Sequence, residues 1–146
     1  MRRLLCVSVV LLLAAGAMST PVMAQETRPG SRPTIQLKPN YPNPFNPSTV
    51  IPFWLPEEWF ESGRPVVVSI KIYDSLMRLV ATPSALNHPS GNAALVDKLV
   101  YTTAGLHEAY WDGLNAAGRK VPSGVYIARL EVNGERAAPR KLVVAN

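Results

Sequence analysis

Few side chains in this sequence have the type and spacing that chemistry requires. His88 and His107 are its two histidines, and neither has another His, a Cys or a carboxylate at metal-ligand spacing. Ser48, Ser84, Ser90 and Ser123 all stand in Pro or Gly turns, without the strand–turn–helix sequence that exposes a nucleophile. Glu57, Glu58 and Glu61 are clustered, but no second acidic group is recognisably placed opposite them for acid–base work. Asp112 and Asn115 lie among glycines as a cation loop would, yet the alternating oxygen ligands and terminal carboxylate are missing, so a hairpin turn is expected there. Asn46-Pro47-Ser48 has proline in the middle position, which excludes it as a glycosylation acceptor. The expectation is therefore a protein that is not an enzyme, with no catalytic residue, no cofactor site and no metal site.

The elements that would carry these residues are bounded by composition. A chain of 146 residues with 47% apolar content, fourteen Pro and nine Gly has room for one ordered, turn-rich β domain and too little for two. Arg2 and Arg3 precede an apolar run from Leu4 to Met18, and Val22-Met23-Ala24 supplies a small-residue cleavage pattern, so residues 1–24 are expected to be a secretory signal peptide. An uncleaved anchor is the alternative, and the run is shorter than the ~20 residues that span a bilayer. Cys6, the single cysteine, lies inside this segment, which leaves the mature chain without disulfide or thiol chemistry. Removing Arg2 and Arg3 lowers the formal charge from +5 to +3. The remaining basic residues are scattered, with no aromatic interleaving, and nucleic acid is not an expected partner. The location implied is exported, either periplasmic or at the cell surface and beyond.

Residues 25–39 read as a short extended leader, with a first strand at Thr34–Leu37. Ile51, Phe53 and Leu55 alternate with Val50, Pro52 and Trp54, the period of a strand. Pro52 cannot donate to a ladder, so this strand should lie at an edge or face an unpaired side there. Val66, Val68, Ile70 and Ile72 alternate with Val67, Ser69, Lys71 and Tyr73 as the clearest half-buried strand. A short strand is expected at Arg78–Ala81, a break of periodicity through "PSALNHPSGN", then strands at Leu95–Tyr101, Leu106–Trp111, Val125–Val132 and Lys141–Ala145. Asn133-Gly134 fits a two-residue hairpin whose positions both take positive φ. About seven short strands without helical periodicity predict an all-β, two-sheet sandwich in residues 40–146.

Three motifs occur in order: "NYPNPFNPSTVIPFWLP" at 40–56, "IKIYD" at 70–74 and "AGLHEAYWDGLNAAGRKVPSGVYIARL" at 104–130, closed by "RKLVVA" at 140–145. Together they resemble the immunoglobulin-like module of flagellar hook-capping proteins and of the C-terminal sorting domains of type IX (Por) secretion cargo. That resemblance implies an immunoglobulin-like sandwich over nearly the whole mature chain. Two departures stand out. Met77 precedes Arg78 where the family continues with a Gly-Arg turn, and the segments Glu57–Pro65 and Thr82–Val96 are longer than its usual connections. A sorting domain normally follows a large cargo domain, whereas only the short leader separates the signal segment from this module, so a sorting role here would be one without cargo. Within the opening motif each proline fixes its own φ and holds its predecessor extended, Asn side chains can bond nearby backbone, and Tyr41 and Phe45 are expected to pin the crossing onto the sandwich.

With chemistry set aside, surface remains. If Ile51, Phe53 and Leu55 face the core, Trp54 faces outward, followed closely by Trp59 and Phe60; grouped exposed aromatics mark an interface. Trp59 and Phe60 folding back as a cap over an open end is the equal alternative, because both bury the same apolar area. Asn87 and His88, in the long Thr82–Val96 loop, complete the candidate partner surface with Trp54, Trp59 and Phe60, since added loops on a rigid sandwich carry recognition. His107 is read as a packed or hydrogen-bonded histidine, and Trp111 as core. The functional expectation is a non-enzymatic accessory or structural subunit of a cell-envelope or membrane-associated assembly, binding protein partners; the alternative is a type IX sorting-type module whose last strand is read by the secretion machine. Membrane contact is expected only if the N-terminal segment stays uncleaved.

Overall fold

The computed structural model describes residues 34–146; the expected signal peptide and the first part of the leader lie outside the described residues. Ten strands follow in chain order: β1 Gln36–Leu37, β2 Thr49–Leu55, β3 Val66–Tyr73, β4 Leu79–Ala81, β5 Ser84–Leu86, β6 Leu99–Tyr101, β7 Gly105–Trp111, β8 Gly124–Val132, β9 Glu135–Arg136 and β10 Arg140–Val144, with one 3-10 turn at Glu57–Trp59. All pairings are antiparallel. One sheet has the order β1-β2-β7-β5; the other runs β10-β8-β3-β4, with β6 also on β3 and β9 on β8. This is the two-sheet all-β sandwich that the period-two patterning predicts.

Alternation sets what lies between the sheets. Ile51, Phe53 and Leu55 of β2 meet Val66, Val68, Ile70 and Ile72 of β3 and Ala128, Leu130 and Val132 of β8 in one buried cluster. Trp111 closes it at one end, edge-on to Phe45 at 5.3 Å and Tyr126 at 5.5 Å, with its indole N–H donating to Leu114 O at 2.9 Å. Truncating a buried aromatic of this kind costs about 3–5 kcal/mol. Tyr126, near the start of β8, donates its hydroxyl to Pro122 O at 2.9 Å. The bond matches the tyrosine corner of immunoglobulin-like sandwiches.

Three expectations change. The first strand begins at Gln36 rather than Thr34. β5 forms inside the stretch whose prolines and glycine break periodicity, because Ala85 needs only three residues to pair with Ala109 on β7. The expected strand Leu95–Tyr101 is not continuous: Val96 donates to Pro83 O (2.9 Å) beside one sheet and accepts from Ile70 N–H (2.8 Å) of the other. Lys98 then turns at φ 53 before β6 starts, so this segment crosses between sheets. Pro52 lies in the second strand of its sheet and not at its edge, but β1 stops at Leu37. Lys38 N–H reaches Pro52 O at 2.8 Å, and the side that lacks a proline donor is where the neighbouring strand has ended.

The turns follow their residue types. Asn133 (φ 49) and Gly134 (φ 87) make the expected hairpin between β8 and β9. In the turn between β3 and β4, Met77 takes φ 61. The strain is held by Asp74, whose Oδ1 accepts from Leu76 N–H and Arg78 N–H, both at 2.9 Å, while Oδ2 accepts from Arg78 Nε at 2.7 Å.

The proline-rich segment 40–49 serves both sheets. It leads into β2 of one and covers the outer edge of β10 in the other. Phe45 N–H donates to Val143 O (2.9 Å), Ala145 N–H donates to Phe45 O (3.0 Å), Val143 N–H donates to Asn43 Oδ1 (3.0 Å) and Asn43 Nδ2 donates to Lys141 O (3.3 Å). Phe45 is buried, whereas Tyr41 lies exposed over the sheet, its hydroxyl donating to the Glu108 carboxylate. Asn40 bonds Pro42 O at 3.1 Å and Thr49 Oγ1 at 2.9 Å. A bare strand edge invites pairing with another chain; here the Lys141 and Val143 carbonyls and the Val143 amide are already taken. β5 is similarly covered by residues 94–96, through Ala85 N–H to Ala94 O at 2.7 Å.

Candidate functional site

The two histidines, Asp112 and Asn115 are bound into the fold. His107 packs 5.7 Å from the Phe53 ring in a stacked arrangement and 4.7 Å from Tyr101 edge-on, with Nε2 on Thr103 O at 2.8 Å. His88 packs against the same Tyr101 ring at 4.7 Å, with Nε2 on Val100 O at 2.9 Å and Nδ1 accepting from Ser90 N–H at 3.0 Å. Both imidazoles are stitches for loops. Asp112 Oδ1 accepts from Leu114 N–H, and Asn115 Oδ1 from Ala117 and Arg119 N–H, all at 3.0 Å, so their oxygens close turns. Among the described residues no group of three His, Cys, Asp or Glu is placed to hold a metal, and no helix is long and apolar enough to cross a membrane.

The perturbed acids likewise trace to fold contacts. Asp74 is held below its ordinary value first by the Arg78 backbone amide and then by the Arg78 side chain and Leu76 amide. Asp97 is lowered chiefly by its hydrogen bond from Lys71. Burial pushes Tyr101 up to about 12, and the bond to Glu108 raises Tyr41.

What the structure does gather is an apolar outer face on the four-stranded sheet. Trp54 points outward as its parity requires and stands directly opposite Leu106; the two are 42% and 58% exposed. Along the same face Val50 pairs with Tyr110 and Pro52 with Glu108. Ser84 and Leu86 of β5 extend the Tyr110 and Glu108 rows, and exposed Leu95 lies beyond Ser84. Glu108 is the carboxylate of this face, and the Tyr41 hydroxyl occupies it. A shallow cleft of about 340 Å³ opens here between Leu86, Asn87, Leu106, His107 and Glu108. Asn87 reaches the rim by turning at φ 54, its N–H bound by Asn92 Oδ1 at 2.8 Å.

The candidate partner residues therefore divide. Trp54 and Asn87 both adjoin Leu106 on one face. His88 turns beneath the loop. Trp59, the last residue of the 3-10 turn, and Phe60 just after it are half-buried against the core, the packing that the cap alternative expects. Leu106 and Leu95 escaped the sequence reading, since an aliphatic residue in an alternating strand carries no mark of its own; the signal available was the parity of β7, which sets Leu106 on the face opposite Trp111.

These features define a two-sheet β-sandwich with an exposed apolar face on its four-stranded sheet. No family model matches the sequence, and no curated protein matches it. Among solved structures, the chain is similar to part of dimeric latent PorU from Porphyromonas gingivalis, with a TM-score of 0.52 and 22% identity over 80% of this chain. The match spans 10% of that much longer protein, and the likeness is one of fold.

Proposed function

We propose that this chain is an exported, non-enzymatic sandwich module related to type IX secretion, which docks a protein partner of the cell envelope on the outer face of its four-stranded sheet. The observation that carries the docking mode is the Trp54–Leu106 pair, two large apolar side chains paired across strands and left open to solvent. The covered edges of β10 and β5 favour recognition by side chains over strand addition. The type IX relation is supported by the fold likeness to part of PorU, a type IX secretion protein, together with the motif order in the sequence.

Replacement of Trp54 by Ala tests the docking face. As a surface change it should move stability by no more than about 0.5 kcal/mol, whereas at the centre of an interface it should weaken partner retention by about 2 kcal/mol or more. Co-purification from native envelopes, read beside a thermal melt, separates the two. A variant that unfolds readily, or one that retains its partners unchanged, removes Trp54 from the interface.

A second reading is favoured by the same likeness: a sorting-type module whose β10 is read by the secretion machine. It expects the protein outside the cell, or shortened at its C-terminal end during export. Intact mass of the mature protein decides between them, because a cell-associated protein that keeps Asn146 argues against processing; the same spectrum shows whether residues 1–24 persist.

A further inference from the structure

The outer face of the second sheet is of opposite character to the Trp54 face. Lys71 of β3 and Arg129 of β8 stand directly opposite each other in the antiparallel register. Like charges in that position repel and cost stability, so the arrangement is not what packing alone selects. Lys71 is partly relieved: Nζ lies 2.8 Å from Asp97 Oδ2 and 3.2 Å from Thr82 Oγ1. Arg129 is not. Its guanidinium carbon sits 5.6 Å from the centre of the Tyr73 ring, and among the described residues no carboxylate or carbonyl bonds it.

Around this pair lies a cleft of about 280 Å³ lined by Ser69, Lys71, Tyr73, Asp97, Lys98, Arg129, Glu131 and Arg136. Its four cationic side chains face two carboxylates, of which Glu131 is taken by Arg136 Nε at 3.1 Å and Asp97 by Lys71. The cleft thus keeps an excess of positive charge, with the Arg129 guanidinium over the Tyr73 ring and its N–H donors open. Paired with the point charge of a lysine, a guanidinium fork is the chemistry that takes a tetrahedral oxyanion.

We propose that this cleft binds a phosphate-type oxyanion, held between Arg129 and Lys71 with Lys98 at the rim. The site is on the sheet opposite the docking face and does not depend on the partner proposed for Trp54. Free phosphate and the phosphodiester of an anionic lipid headgroup share this chemistry.

Titration of the purified protein with inorganic phosphate at low salt, followed by amide NMR, tests it. The expected result is a saturable shift, with millimolar affinity, confined to the amides of β3 and β8 around Lys71 and Arg129 and of Lys98. Arg129→Gln should weaken binding about tenfold or more while its melting temperature stays level or rises, since the like-charge pair is gone. Asp97→Asn frees Lys71 and should tighten binding severalfold, an outcome opposite in sign to any loss of structure. Sedimentation with phosphatidylcholine vesicles carrying phosphatidylglycerol then separates the sources: binding abolished by Arg129→Gln assigns the headgroup, and phosphate binding without sedimentation assigns a soluble anion. Absence of a saturable phosphate shift, unchanged affinity in Arg129→Gln, weaker binding in Asp97→Asn, or binding of an oligoglutamate peptide in place of phosphate would each overturn the proposal.

Discussion

Tyr101 carries its hydroxyl into the interior without a hydrogen-bond partner, and an unsatisfied buried donor costs about 1–3 kcal/mol. Tyr101→Phe should therefore fold as well as the parent or better, by up to about 1 kcal/mol in urea unfolding. The variant should also differ at alkaline pH. The folded value near 12 lies above the ordinary 10.0; stability from keeping this phenol neutral is intact below the ordinary value and is lost as pH rises towards the folded one. Without the phenol, Tyr101→Phe should lose that part of the alkaline decline. Asp74 works with the opposite sign. Its value is depressed below 3.8 by the turn it closes, so its contribution is present above that range and disappears as pH falls through the folded value. Asp74→Asn should be less stable at neutral pH and should show a flatter acid limb when unfolding midpoints are compared from about pH 5 to pH 2. At Gly113, with φ 76, an added Cβ would run into the Pro47 carbonyl. Gly113→Ala should destabilise by well over the ~1 kcal/mol of an ordinary glycine position, whereas Gly134→Ala, which meets no neighbouring atom, should cost only about that much; parallel thermal melts compare them.

Among the elements, the long alternating strands were legible, and of the short ones β4 was expected at Arg78–Ala81 whereas β5 and β9 were not. β2, β3, β7 and β8 carry seven to nine residues each, enough for alternation to declare a buried face. β5 and β9 have three and two, too few for any period, and their pairing is decided by neighbours far along the chain. Leu95–Tyr101 misled because apolar residues that serve two sheets in succession look like one strand serving a single sheet; Lys98 at positive φ gives no sequence warning. The candidate site was half legible. Trp54 followed from parity, but Trp59 and Phe60 had no period to place them, and whether they capped the core or faced solvent depended on where the 3-10 turn came to rest. The clamp on β10 offers an element-scale test. Asn43→Ala removes two hydrogen bonds to that strand and should cost about 1–2 kcal/mol. It should also expose strand edge, raising self-association in concentration-dependent sedimentation.

At the scale of the whole molecule, the two outer faces differ in character: apolar across β2 and β7, charged across β3 and β8, with a dense core between. Substitutions on opposite faces share no partner, so the stability changes of Trp54→Ala and Arg129→Gln should add within about 0.5 kcal/mol in the double variant. The proline-rich crossing also gives the domain a direction. Residues 34–45 and 140–146 run alongside each other in the same sense where Phe45 bridges Val144, and Arg140 Nε ties the start of β10 to Leu37 O at 2.6 Å. A pull on residue 34 against residue 146 therefore slides two neighbouring segments past each other, loading the bonds at Asn43, Phe45 and Arg140 together in shear instead of peeling them one by one. Forced unfolding is governed by the barrier and not by equilibrium stability, so a domain of ordinary stability built this way should act as a tension-bearing link, yielding in single-molecule stretching at a high force that falls sharply in Asn43→Ala.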